Sequence, residues 1–75
     1  MTTLDQLRAG QSASIESLSG EADLVQRLYE FGLMEGEIVE VLGFAPLGDP
    51  LEIRIGNTRL SLRRREAAVV GVRPV

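Results

Sequence analysis

The sequence contains no cysteine, no histidine and no tryptophan, and all eight of its basic residues are arginine. Without cysteine, no disulfide staples the fold, and a chain of this kind with no signal-like start is expected in a reducing cytosol. Without histidine, the commonest general base and the commonest transition-metal ligand are both missing. Aromatic residues are reduced to Tyr29, Phe31 and Phe44, too few for a base-stacking platform beside a basic groove. Eleven acids against eight arginines leave a net charge of −3. That balance argues against nucleic-acid binding, whose affinity comes largely from neutralising phosphates. No apolar run approaches the ~18–20 residues of a membrane span.

What is present describes one small domain. The 75 residues, 44% hydrophobic and 25% charged, have an ordinary globular composition, and a chain this short buries roughly 60–65% of its unfolded surface. Thr2 to Leu7 opens with a short helical turn, with Thr3 as N-cap and Gln6 three residues on. Gln11 to Leu18 alternates as a strand. Glu21 to Phe31 carries the i, i+4, i+7 stripe of an amphipathic helix in Leu24, Leu28 and Phe31, widened by Val25 and closed by Gly32. Four strand patterns follow: Glu37 to Gly43, Leu51 to Ile55, Thr58 to Leu62 across a Gly56-Asn57 hairpin turn, and Ala68 to Val72. Between the last two, Arg63 to Ala67 is a short connection with room for one 3₁₀ turn. Strand, helix, then four short strands without a parallel crossover predict a mainly β fold, a small five-stranded antiparallel SH3-like barrel with one inserted helix.

The chain turns on Phe44-Ala45-Pro46-Leu47-Gly48-Asp49-Pro50-Leu51. Two prolines fix their own φ and restrict the residues before them. Gly48 accepts a positive φ, and Asp49 can stiffen the turn through backbone N–H groups. Such a loop is stiff, and it carries a leucine where a plain connection carries a polar residue. Leu47 either folds back to cap the core or is a contact residue that loses little ordering entropy on binding.

Candidate sites are few. No nucleophile and base stand in a recognisable arrangement, so the chain reads as non-enzymatic. Metal ligands are limited to oxygen, with Asp49 and Glu52 three residues apart as the weak candidates. Glu35, Glu37 and Glu40 read as a wet strand face. Oxygen-only sites suit hard ions and discriminate Fe²⁺ poorly, and no cofactor is expected. Arg63-Arg64-Arg65 reads first as a solvated turn, pointing alternately if extended. Its functional readings are a docking edge for an acidic partner, or an arginine that satisfies loop carbonyls or holds Asp49. Leu33, Met34 and Leu47 are the candidate apolar surface.

Leu7-x-x-Gly10-x-x-Ala13-x-Ile15, Gln26-Arg27-Leu28-x-x-Phe31-Gly32-Leu33-x-x-Gly36, Ala45-Pro46-Leu47-Gly48-Asp49-Pro50-Leu51 and Leu60-x-Leu62-Arg63-Arg64-x-Glu66-Ala67 together resemble the FeoA family of bacterial ferrous iron uptake. The resemblance spans Leu7 to Val72. Phe31 stands where a smaller aliphatic residue is common. The resemblance implies an SH3-like barrel and a cytoplasmic accessory or regulatory protein that binds the cytosolic G-protein-like region of the FeoB transporter. The expected partner-binding residues are Leu33, Met34, Pro46, Leu47, Gly48, Asp49, Pro50, Arg63 and Arg64. Three alternatives stand beside it: a regulatory or nucleic-acid accessory module acting through Arg63–Arg65, a stand-alone relative of the SH3-like domain of iron-dependent repressors, and a self-associating module. The start at Met1, with no DNA-binding or metal-binding domain before the barrel, favours the stand-alone FeoA-like form over a repressor domain.

Overall fold

The computed structural model describes residues 2–75. Along the chain lie β1 (Thr2–Thr3), a 3₁₀ turn (Leu4–Gln6), β2 (Ser12–Leu18), α1 (Ala22–Glu30), β3 (Ile38–Phe44), β4 (Leu51–Ile55), β5 (Thr58–Leu62), α2 (Arg64–Ala67) and β6 (Val70–Pro74). The strands form one antiparallel sheet in the order β1-β6-β2-β3-β4-β5. The near-equal extents of 29 × 26 × 24 Å fit a sheet curled around its core, since a flat sheet is thin in one direction.

Alternation does most of the work. In β4, Leu51, Ile53 and Ile55 are buried while Glu52 and Arg54 face water. In β3, Val39 and Val41 are fully buried and Ile38 is half exposed. The core gathers these with Ala13, Ile15, Leu28, Leu62, Val70 and Val72, and Leu4 and Leu7 close it from the N-terminal turn. It contains no buried polar residue among those described. On the wet face, Arg54 pairs with Glu40 across β4 and β3, and Arg59 with Glu52 across β5 and β4. Arg54 lies directly opposite Glu40, whereas Arg59 lies opposite Arg54 and reaches Glu52 on the diagonal, and both kinds of cross-strand neighbour are close enough to pair.

Four expectations are corrected. The sheet has six strands rather than five, because Thr2 and Thr3 pair with Val72 and Gly71. Thr3 is extended (φ −111°, ψ 160°), a geometry that serves both as strand end and as N-cap of the following turn. The connection after β5 is a helix, α2, which runs to Ala67 and delays β6 to Val70. That strand also runs past its expected end at Val72: Pro74 lies opposite Ala13, beyond the stretch of β6 that β1 covers, where its missing N–H costs no bond to β1. In α1 only Leu28 is fully buried, and Phe31, at the helix end, is 47% exposed.

Candidate functional site

The loop between β3 and β4 is held at every turn. Ala45 N–H donates to the Pro50 carbonyl at 2.9 Å, and Gly48 N–H donates to the Ala45 carbonyl at 2.7 Å. Gly48 has φ +85°, a left-handed geometry that favours glycine. The Asp49–Pro50 peptide is cis.

Arg64, the first residue of α2, fastens this loop to the body. Its backbone N–H donates to Asp49 Oδ1 at 3.1 Å, and its side-chain Nε–H donates to the Gly48 carbonyl at 2.7 Å. A second guanidinium nitrogen donates to the Asp5 carbonyl at 3.2 Å. The guanidinium carbon lies 5.2 Å from the centroid of the Phe44 ring, within cation–π range. Of the two readings of the arginine run, the satisfying of loop carbonyls therefore describes Arg64. Asp49 is held by a backbone amide of α2, not by a guanidinium.

Glu66 fixes α2 in turn. One carboxylate oxygen accepts the Arg63 backbone N–H at 2.8 Å, capping the helix, and the other accepts from Arg27 of α1 at 2.6 Å. The Glu66 side chain is only 12% exposed. Since Arg63–Arg65 open a helical turn and not a strand, they do not alternate across a sheet. Neither Arg63 nor Arg65 forms an ion pair among the described residues.

Leu47 is 97% exposed. It does not cap the core, although both flanking turns are bonded in place. Pro46 is also exposed, and Pro50 is half-buried. The remaining apolar candidates lie elsewhere. Met34 is 47% exposed, and it precedes the Ile38 end of β3, whereas Leu47 follows the Phe44 end. Along a strand of that length the ends stand roughly 20 Å apart. Leu33 is not a surface residue at all: it is fully buried. Gly32 and Leu33 close α1 with bonds from Gly32 N–H to the Tyr29 carbonyl and from Leu33 N–H to the Leu28 carbonyl. That paired arrangement carries the residue after the C-terminal glycine back toward the helix, and Leu33 joins the same core cluster as Leu28.

Beside Met34, the Tyr29 hydroxyl donates to Glu35 Oε2 at 2.7 Å. That hydrogen bond lowers the Glu35 pKa and raises that of Tyr29. The two weak metal candidates are engaged separately, Asp49 with Arg64 and Glu52 with Arg59. Among the described residues, no three acidic side chains converge as a metal site.

The chain as a whole is similar to known proteins. A family model, the FeoA domain, matches residues 2–74. Over 69 residues the chain is 36% identical to an Fe(2+) transport protein A/Fe(2+) transporter FeoB fusion protein of Porphyromonas gingivalis, a match covering 92% of this chain and 8% of that one. The chain thus corresponds to a small part of that relative's length. The fold matches the solution structure of a FeoA protein from Chlorobium tepidum with a TM-score of 0.92 and 38% identity, covering 99% of this chain and 70% of that one. It also matches Stenotrophomonas maltophilia FeoA, a zinc complex described as a prokaryotic SH3 domain protein, with a TM-score of 0.85 and 37% identity over 96% and 89% of the two chains. With an SH3-like fold, a domain match over nearly its whole length and relatives above one-third identity, the chain belongs to the FeoA family.

Proposed function

We propose that this protein is a non-enzymatic accessory of ferrous iron uptake that acts by contact, docking through its Leu47 loop on the cytosolic G-protein-like region of a FeoB-type transporter. The observation that carries this reading is a leucine 97% exposed on a loop whose backbone and flank are tied down by Arg64. An exposed apolar side chain on an ordered loop gains its full burial on binding with little entropy lost. The fusion of a transport protein A to a FeoB transporter in a relative supports the choice of partner, because two domains on one chain are held at high effective concentration.

The test is co-purification, then titration of the full chain against the cytosolic portion of the FeoB-type transporter from the same organism, in each nucleotide state. Association is expected in at least one state. Leu47→Arg should weaken it at least tenfold, since a charge then replaces the apolar anchor, while leaving the unfolding midpoint unchanged. No association in any state would overturn the reading, and unchanged binding by Leu47→Arg would remove the loop from it.

A further inference from the structure

We infer that Leu47 and the guanidinium groups of Arg63 and Arg65 form one docking surface, and that the surface they fit is acidic and carries an apolar socket. This rests on the proposed function for the partner's identity and adds its chemistry. The two arginines belong with the loop because Arg64 between them binds Asp49 and Gly48. With Asp49 they line an open concavity of about 360 Å³ next to the loop.

Charge selects the occupant. Arg27, Arg54, Arg59 and Arg73 are each paired with a glutamate. Arg64 spends its donors on two carbonyls. Arg8, Arg63 and Arg65 are left without carboxylate partners among the described residues, and of these Arg63 and Arg65 flank Arg64. A chain of net charge −3 therefore presents two unpaired guanidinium groups on the helical turn that grips the Leu47 loop. An acidic surface is attracted to this site and repelled by the chain as a whole, which favours encounter in one orientation. Exposed charges act over distance and govern association, whereas a buried apolar anchor governs dissociation. Arg64, with its donors engaged inside the chain, is a positioning residue and not a contact.

The experiment measures association and dissociation rates of the full chain with the same cytosolic transporter portion at low and physiological salt. The double substitution Arg63→Gln/Arg65→Gln is expected to slow association about tenfold at low salt and to flatten its salt dependence. Leu47→Ala is expected to leave association unchanged and to speed dissociation about tenfold. Far-ultraviolet circular dichroism and amide NMR spectra establish that each variant keeps the fold. Binding that is insensitive to salt and to both arginine substitutions overturns this inference and leaves the proposed function standing. Absence of binding overturns both. A change in the chain's own oligomeric state, or salt-dependent binding to a duplex oligonucleotide in place of the transporter, also overturns it, by naming a different occupant.

Discussion

Tyr29 shows how one side-chain contact becomes a measurable property. Its hydroxyl donates to Glu35, which favours the neutral phenol and the ionised carboxylate together. Glu35 is held below its usual 4.5, so its contribution is present above that value and is lost as pH falls through the lowered one. Tyr29 is held above its usual 10.0, so its contribution is present below that value and is lost as pH rises through the raised one. The contact therefore stands across the neutral range. The chain has a single tyrosine and no tryptophan, so the tyrosinate absorbance band titrates this group alone. Wild type should ionise at higher pH than Glu35→Ala, whose midpoint should return to about 10, the ordinary tyrosine value. Leu47 and Leu33 make a second contrast between residues. Both are leucines that follow or precede a glycine in an apparent surface turn, yet one is 97% exposed and the other fully buried.

At the scale of elements, helix ends account for that contrast. The glycine that closes α1 was legible in the sequence, and so was an apolar residue after it. The two bonds from Gly32 and Leu33 back to Tyr29 and Leu28 turn that pattern into a buried leucine. Leu33→Ala should therefore destabilise the domain by roughly 2–5 kcal/mol through the cavity it leaves, while Leu47→Ala should shift stability by less than about 0.5 kcal/mol. Urea unfolding midpoints compare the two directly. The strands of the β4–β5 hairpin were readable to the residue, because strict alternation and Gly56-Asn57 set both register and turn. α2 was less readable. Four residues are too few for a hydrophobic period to show, and Arg64–Ala67 become helical because Glu66 caps the Arg63 N–H and is itself held by Arg27 of α1.

Across the whole molecule, Arg64 links parts that the sequence keeps far apart. It joins α2 to the Gly48 carbonyl of the β3–β4 loop and to the Asp5 carbonyl of the N-terminal turn, 59 residues away. Arg64→Ala should free the loop without unfolding the sheet. The Gly48 amide, bonded to Ala45, should exchange with solvent about five- to tenfold faster, the counterpart of roughly 1 kcal/mol of lost hydrogen bonding. Amides of β2 and β6 should keep their protection, and hydrogen exchange read by NMR checks both. The sequence by itself determined the alternating strands, the single amphipathic helix, the stiff proline-bracketed loop and the family, because each rests on local period, turn chemistry or fixed residue spacing. Only the tertiary structure decided that Leu47 projects into solvent, that Leu33 does not, and that Arg64 braces the loop while Arg63 and Arg65 form no ion pair among the described residues. Those outcomes depend on which distant groups reach one another once the sheet curls, and no local pattern encodes that.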